Sequence, residues 1–198
     1  MIRLISDNLT KFISNSIEIE DEMMDVYKYG IEITISSILN VILVIISSII
    51  LSDIICGIIF LTVFIFLRSF CGGYHASTYL KCNLIFILAF LLTFSINKMI
   101  TNFFDYKNII ILLIIVDVLS FIPIAVFSPV QNKHKTITAN QTKICHVKAM
   151  LLYLLFSIVS FIMCAQNINY GSFMIMALAS VSVMILIEIT KRRISHER

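Results

Sequence analysis

Two side chains near the middle of the chain, His75 and Cys82, are of the types that form a cysteine nucleophile and its base. A free thiol has a pKa of about 8.5 and is mostly protonated at neutral pH, so a nucleophilic cysteine needs a base beside it. A glycine pair, Gly72 and Gly73, precedes His75 and predicts a turn there. A solvated loop histidine and an incidental thiol would also account for these two residues taken alone. Cysteine catalysis is therefore a hypothesis that needs support from the rest of the chain.

Other chemistries of cysteine and histidine fit the sequence less well. The chain has five cysteines, an odd number, and we expect free thiols rather than structural disulfides. Zinc bound by Cys71, His75 and Cys82 is an alternative, but neither CxxC nor HExxH is present and the spacing matches no usual zinc pattern. The GxSG and GxGD signatures of serine and aspartyl intramembrane proteases are also missing. We expect no metal and no cofactor.

The chain around these residues has the composition of a polytopic membrane protein. Of 198 residues, 59% are hydrophobic and 14% charged, with a mean hydropathy of +0.98, which excludes a water-soluble globule. We predict an all-α fold in a single domain, 1–198, with six spanning helices at 31–51, 54–70, 84–100, 109–127, 149–165 and 171–189. The second run has only about 14 uncharged residues between Ile54 and Leu67, a length that also suits a re-entrant segment.

The distribution of lysine and arginine predicts which side of the membrane each loop faces. Short loops rich in these residues stay in the cytoplasm during insertion. With both termini inside, 13 of the 15 positive residues are cytoplasmic, and only Lys98 and Lys107 are outside. A five-span arrangement would put basic loops on both sides. We therefore expect segment 68–83, with His75 and Cys82, to face the cytoplasm.

The first residues of the chain have the pattern of an amphipathic helix rather than of a cleavable signal peptide. Apolar residues recur there at spacings of three and four, and six acidic residues lie within 1–30. We predict that segment 1–28 lies on the inner membrane surface. It is either a plain anchor for the first span or, through its acids, a receiver of a charged partner.

Geometry constrains how His75 and Cys82 could meet. Seven residues along an ideal helix separate two side chains by about 10.5 Å, too far for a hydrogen bond. Either the backbone between them departs from a straight helix, or His75 precedes the helix that carries Cys82. Gly72 and Gly73 permit such a bend, and Ser77 or Thr78 could cap a helix that starts there. Cys82 is then predicted in the first turns of the third spanning helix, where the helix dipole would favour a thiolate.

Charged residues near the predicted membrane surface offer binding groups. Arg68 at the end of the second span either reaches lipid phosphate or forms a fork for a carboxylate. Segment 128–148 gathers four lysines and no acid, and contact with anionic lipid or with an acidic peptide would each explain it. Basic residues split between loops, without interleaved aromatics, make a nucleic-acid partner unexpected. Asp117 lies inside the fourth span and could orient His75, line a peptide path, or pair with a polar group such as Asn40.

Together these motifs resemble the AgrB family, the membrane endopeptidases of the accessory gene regulator quorum-sensing system of Gram-positive bacteria. The family's site pattern is met by Arg68, Gly73, His75 and Cys82. A second resemblance is SPVQNKHK, Ser128 to Lys135, which is similar to the family's loop of proline and lysine after the fourth span. The chain departs from the family at 136–138, where Thr-Ile-Thr replaces the usual proline.

The resemblance implies a reaction, a partner and a location. The enzyme would remove the C-terminal part of an AgrD-like precursor peptide and hold the remainder as a thioester on Cys82, with His75 as general acid and base. A cysteine or serine of the peptide would then close a thiolactone or lactone ring. Arg68, Gly73, Lys133 and Lys135 would bind substrate or support the site, in a bacterial cell membrane protein that forms a homodimer and contacts membrane lipid. A non-enzymatic transporter or sensor subunit is the alternative.

Overall fold

The computed structural model describes residues 21–72, 78–130 and 138–196, and these ranges form six α-helices joined by short connections. Residues 1–20 of the amphipathic segment predicted at 1–28 lie outside the described residues, as do Gly73, His75, Lys133 and Lys135, whereas residues 21–28 form the first turns of a long helix. The helices are α1 (Asp21–Ile50), α2 (Ile54–Cys71), α3 (Tyr79–Phe103), α4 (Tyr106–Phe127), α5 (Ala139–Gln166) and α6 (Ile168–His196).

All six helices are long and apolar enough to cross a membrane, as the hydropathy predicted. The second run, for which a re-entrant segment was an alternative, is one continuous helix of 18 residues. At 1.5 Å per residue it covers about 27 Å, close to the thickness of a hydrocarbon core. The all-helical, polytopic class predicted from composition is confirmed.

The helices are arranged around α6. This helix packs against α2, α3, α4 and α5, whereas the main contacts of α1 within the described ranges are with α2 and α3. In the apolar stretch of α6 that could cross the membrane, 61% of the residues are buried, compared with 17% in the corresponding stretch of α1. The outward faces of the other helices carry exposed isoleucine, leucine and valine side chains, as expected where hydrocarbon is the solvent. The last helix of the sequence is thus the centre of the bundle, and α1 is its most peripheral part.

Phenylalanine rings fill the space between α2, α3 and α6. Phe64 of α2 meets Phe86 of α3 edge to face with ring centroids 4.6 Å apart, and Phe90 of α3 meets Phe173 of α6 at 6.4 Å. Such pairs contribute about 0.5–1.5 kcal/mol each beyond the area they bury. Since lipid tails are as apolar as these side chains, packing of this kind, rather than escape from water, holds spanning helices together. The rings thereby fix α3, which carries Cys82, against the central helix.

At one end of the bundle, polar contacts join α3 to the start of α2 and to α6. Asp53 accepts a hydrogen bond from the Cys56 backbone N–H and forms an ion pair with Lys98 of α3 at 3.4 Å. The buried Asn97 amide donates to the Asn169 carbonyl at 3.1 Å. We call the other end, where α2 ends and α3 begins, the Cys82 end.

Two expectations from the sequence need correction in detail. Segment 128–148 is not a loop throughout, because α5 begins at Ala139 and carries Lys143 and Lys148 on its first turns. A capping interaction explains the early start: the Thr138 N–H donates to Gln141 Oε1 at 3.3 Å, which satisfies a backbone donor that the helix leaves open. Segment 68–83 likewise includes the last turn of α2 and the first turn of α3.

Asp117 pairs with polar groups inside the bundle, which was one of three predictions for it. Its partners are Tyr153 and Ser157 rather than Asn40. Its carboxylate accepts hydrogen bonds from Tyr153 at 3.0 Å and Ser157 at 2.6 Å, both on α5. The Tyr153 hydroxyl also lies 2.8 Å from the Asp117 carbonyl. A costly polar group inside the membrane is thus satisfied by two hydroxyls on the neighbouring helix.

Candidate functional site

Cys82 lies in the first turn of α3, where the sequence predicted it. The helix begins at Tyr79, and the Thr78 side chain caps it by accepting from the Lys81 N–H at 3.4 Å. The Cys82 N–H donates to the Thr78 carbonyl at 3.1 Å, which is the first regular backbone bond of the helix. The cysteine is half-buried and its thiol is free. The nucleophile candidate is therefore held on a capped helix terminus at the edge of the bundle.

Two hydrogen bonds from α1 flank this cysteine. The Tyr79 hydroxyl donates to Glu32 Oε2 at 2.7 Å, and the Ser36 hydroxyl donates to Asn83 Oδ1 at 2.8 Å. Glu32, Ser36 and Asn83 are all buried. None of these three residues was predicted from the sequence as part of a site. The available signal was Glu32 itself, an acid inside the first apolar run, where an unpaired carboxylate would be costly.

Arg68 lies in the last turn of α2, at the same end of the bundle. Its guanidinium carbon is 5.4 Å from the centre of the Phe64 ring, a cation–π distance, and the residue is half-buried. Its carbonyl accepts from the Gly72 N–H at 3.0 Å, which ends the helix. Arg68 is thus at the end of the second helix, as predicted from the sequence.

A short backbone contact joins the chain after α2 to the chain after α4. The Val130 N–H donates to the Cys71 carbonyl at 2.8 Å, and Gly72 and Val130 form an isolated parallel bridge. Gly72 has a φ of +69°, and a Cβ on it would collide with the Val130 carbonyl. Glycine is therefore required here by conformation and by space. We call this contact the Gly72–Val130 bridge.

His146 and Lys148 of α5 support the same region. The His146 Nδ1 is 2.6 Å from the Ser128 carbonyl, and Lys148 Nζ lies 5.7 Å from the centre of the Phe70 ring of α2. The first turns of α5 therefore hold both the end of α2 and the residues that lead into segment 131–137. His146 was not predicted as a site residue, since nothing in the sequence near it indicates a partner 18 positions upstream.

Of the six predicted site residues, Arg68 and Cys82 fall within the described ranges, at one end of the bundle. The other four occur in segments 73–77 and 131–137. The chain enters the first of these segments from Gly72 and the second from Val130, the two residues that the bridge joins. The distance between His75 and Cys82 therefore stays a prediction.

Within the described ranges, no group of three histidine, cysteine, aspartate or glutamate side chains is placed to hold a metal ion. The zinc alternative includes His75, which is outside those ranges. Cys71 is buried at the end of α2, next to the residues of the bridge. All five cysteines are free.

The fold and these contacts define a polytopic helical membrane protein with a half-buried cysteine at the start of its third helix. Residues 6–187 match the family Accessory gene regulator B, and the chain belongs to this AgrB family. Membership assigns it a role in the accessory gene regulator quorum-sensing system, in the processing of that system's AgrD precursor peptide. Neither a curated protein nor a solved structure matches the chain.

Proposed function

We propose that the protein is a cysteine endopeptidase that cleaves an AgrD-like precursor through a thioester on Cys82 and enables its cyclisation. The observation that carries this proposal is the position of Cys82, half-buried in the first turn of a capped helix, in a chain that matches the family over residues 6–187. A rigid helix terminus places a nucleophile more precisely than a loop does, and its open backbone N–H groups would favour negative charge that develops nearby.

In the first step, His75 takes the proton of the Cys82 thiol while the sulfur attacks a peptide carbonyl. The carbon–nitrogen bond then breaks, the proton passes to the leaving amine, and the C-terminal fragment departs. In the second step, a thiol or hydroxyl of the bound peptide attacks the thioester and gives its proton to His75. Cys82 is released and recovers a proton, and the peptide becomes a thiolactone or lactone. Thioester exchange conserves the acyl activation, so no nucleotide is consumed.

The remaining predicted residues would bind the substrate or support the shape of the site. Arg68 and the lysines Lys133 and Lys135 would bind carboxylates of the precursor, and Gly73 would permit the turn that brings His75 to Cys82. The Gly72–Val130 bridge supports this grouping, because the segments that contain Gly73 and the two lysines start from adjacent backbone positions.

The location of the site at the edge of the bundle serves the second step. Water that reached the thioester first would release a linear peptide. A half-buried cysteine beside a lipid-facing surface is less open to solvent than one on a soluble loop. The positive charges predict that this edge faces the cytoplasm in the bacterial cell membrane. Lys148, over the Phe70 ring at the same end, would contact anionic lipid headgroups. A homodimer remains part of the proposal by family resemblance.

The test is mass spectrometry of the purified protein incubated with candidate precursor. We expect an adduct on Cys82 that hydroxylamine removes, together with a cyclic product. Cys82→Ala should abolish both, because no acyl carrier remains. Cys145→Ala is the matched control, since Cys145 is also half-buried and free but lies on α5. Processing that survives Cys82→Ala would instead favour a non-enzymatic transporter or sensor subunit.

A further inference from the structure

The hydrogen bonds between α1 and α3 lie on either side of Cys82 in the sequence. Tyr79, three residues before the cysteine, bonds to Glu32, and Asn83, one residue after it, bonds to Ser36. Both bonds join residues 47 positions apart. Glu32 and Ser36 are four apart on α1, as are Tyr79 and Asn83 on α3, so each pair occupies one face of its helix. We call the four residues the α1–α3 clamp.

This arrangement specifies one register between the two helices. Sliding α1 along α3 by a single turn would break both bonds, and the buried Glu32 carboxylate and Asn83 amide would need new partners. Glu32 is 8% exposed and Asn83 is 6% exposed, so lost partners would not be replaced freely by water. The clamp therefore fixes the relative position of the two helices at the Cys82 end.

The thiol lies beside the clamp without being part of it. At 100° per residue, Cys82 is about 60° around the helix from Tyr79 and about 100° from Asn83. The exposure of the side chains agrees: Asn83 is buried, Lys81 is exposed, and Cys82 is intermediate between them. The clamp thus holds the helix turn while leaving the sulfur at the edge of the buried face.

The first turn of α3 needs such a hold. The first backbone N–H groups of a helix have no carbonyl partners in a preceding turn. The Thr78 side chain accepts from one of them, the Lys81 N–H, but this hydrogen bond is long, at 3.4 Å. At the far end of the bundle, α1 is located by a close approach to α2, where a Cβ on Gly57 would collide with the Ser48 side chain. One turn after Cys82, Phe86 packs against Phe64 of α2. The α1 side chains add the hydrogen bonds that flank the cysteine in the first turn itself.

We infer that Glu32 and Ser36 are positioning residues for the Cys82 nucleophile, acting through Tyr79 and Asn83 on the helix turn that carries it. The inference rests on the proposed function and deepens it. Acyl transfer is sensitive to such positioning, since a misplacement of about 1 Å can cost about 100-fold in rate. Substitutions in the clamp leave Arg68, Lys133 and Lys135, the groups proposed to bind the peptide, unchanged, so we expect peptide binding to change little.

The test uses full-length protein in lipid nanodiscs and compares Tyr79→Phe and Ser36→Ala with wild type. Each substitution removes a hydroxyl donor and little else. We expect kcat to fall about tenfold while KM stays within about twofold, the pattern of a lost interaction that matters in the transition state. The fraction of linear peptide among the products should rise, because a poorly placed thioester waits longer for its ring-closing nucleophile. Alkylation of Cys82 by iodoacetamide, which needs no alignment with a peptide, should be unchanged.

Matched controls and a conservative variant separate positioning from stability. Ser37→Ala and Tyr106→Phe make the same chemical changes at exposed sites and should behave as wild type. Glu32→Gln keeps an acceptor oxygen for Tyr79 and should retain kcat within about threefold, whereas Glu32→Ala should not. Partial unfolding lowers the yield of both products equally, so the ratio of cyclic to linear peptide still reports positioning if a variant is poorly folded.

Three results would overturn the inference. The kcat and product ratio of Tyr79→Phe and Ser36→Ala could equal those of their controls, which would make the clamp irrelevant to the reaction. Glu32→Gln could be as impaired as Glu32→Ala, which would show that the carboxylate charge itself takes part. Wild-type protein could form no thioester at all, in which case no nucleophile needs positioning and the proposed function fails with it.

Discussion

Acidic side chains inside the bundle each hold a specific hydroxyl or guanidinium group. Glu32 accepts from Tyr79, Asp117 accepts from Tyr153 and Ser157, and Glu188 accepts from Arg192 at 2.9 Å. Hydrocarbon offers no hydrogen bonds, so a polar group in a spanning helix must find its partners within the protein. The contacts of Glu32 and Asp117 join different helices and therefore favour particular neighbours and registers, whereas the Glu188–Arg192 pair lies within α6.

Substitution of Asp117 should affect stability and leave the chemistry of folded molecules intact. Asp117→Ala removes the acceptor of two hydroxyls and should lower the free energy of unfolding by about 1–2 kcal/mol. Asp117→Asn keeps one acceptor and a similar volume, so its cost should be under about 1 kcal/mol. Thermal unfolding in detergent measures both. Asp105→Ala is the control, because Asp105 is exposed and makes no side-chain capping bond. Loss of thioester formation per folded molecule in Asp117→Asn would instead give this residue a catalytic role.

At this scale the sequence predicted some residues and missed others for a clear reason. Thr78 could be proposed as a cap and Cys82 as a first-turn residue, because capping depends on neighbours along the chain. The Glu32–Tyr79 and Asp117–Ser157 pairs depend on how two helices are rotated against each other. Apolar runs without a strong periodic pattern do not encode that rotation.

The connections between helices at the Cys82 end contain regular backbone contacts and helical turns where the sequence predicted loops. The Gly72–Val130 bridge joins the chain after α2 to the chain after α4. His146 of α5 contacts the Ser128 carbonyl in the same region. Hydropathy identified the apolar part of α5 and missed its first turns, which carry Lys143, His146 and Lys148. The Thr138 and Gln141 pair was the signal that could have placed the helix start.

Replacing Gly72 should disturb the bridge and with it the reaction. Alanine at a φ of +69° is strained, by about 1–3 kcal/mol, and its Cβ would displace the Val130 carbonyl. We expect Gly72→Ala to lower the rate of thioester formation by about tenfold or more, because segments 73–77 and 131–137 lose their common anchor. Single-turnover labelling with precursor measures this rate.

Gly30→Ala is the matched control for this substitution. Gly30 lies within α1 and has nothing within 4 Å of the position that a Cβ would take. Alanine should therefore be tolerated and slightly favourable for the helix. Equal rates in Gly72→Ala and wild type would contradict a role for the bridge.

For the molecule as a whole, the number of spans followed from composition, whereas the central place of α6 did not. Length and hydropathy are sufficient to count helices, since each must cross the same hydrocarbon thickness. Which helix is central depends on small side chains that allow close approach, and Gly171, packed against Cys164 and Ser160, is one such residue. Such contacts between helices cannot be read from a hydropathy profile.

The predicted orientation can be tested by labelling with a membrane-impermeant maleimide. A cysteine introduced by Asn102→Cys, at the α3–α4 connection, should react in intact cells. One introduced by Thr138→Cys, at the start of α5, should react only after the membrane is permeabilised. The reason is that the lysines and arginines concentrate at the Cys82 end. The reverse pattern would place the proposed site outside the cell and contradict a cytoplasmic reaction.

The bridge between Gly72 and Val130 also limits how specificity can be moved from one member of the family to another. The stretch containing His75 and the stretch containing Lys133 are separated by two spanning helices in the sequence but share one anchor in space. In a chimaera that exchanged only one stretch, the foreign stretch would start from a bridge whose other residue still leads into the original stretch. Grafts that exchange both stretches together should therefore transfer peptide preference where single exchanges give inactive hybrids.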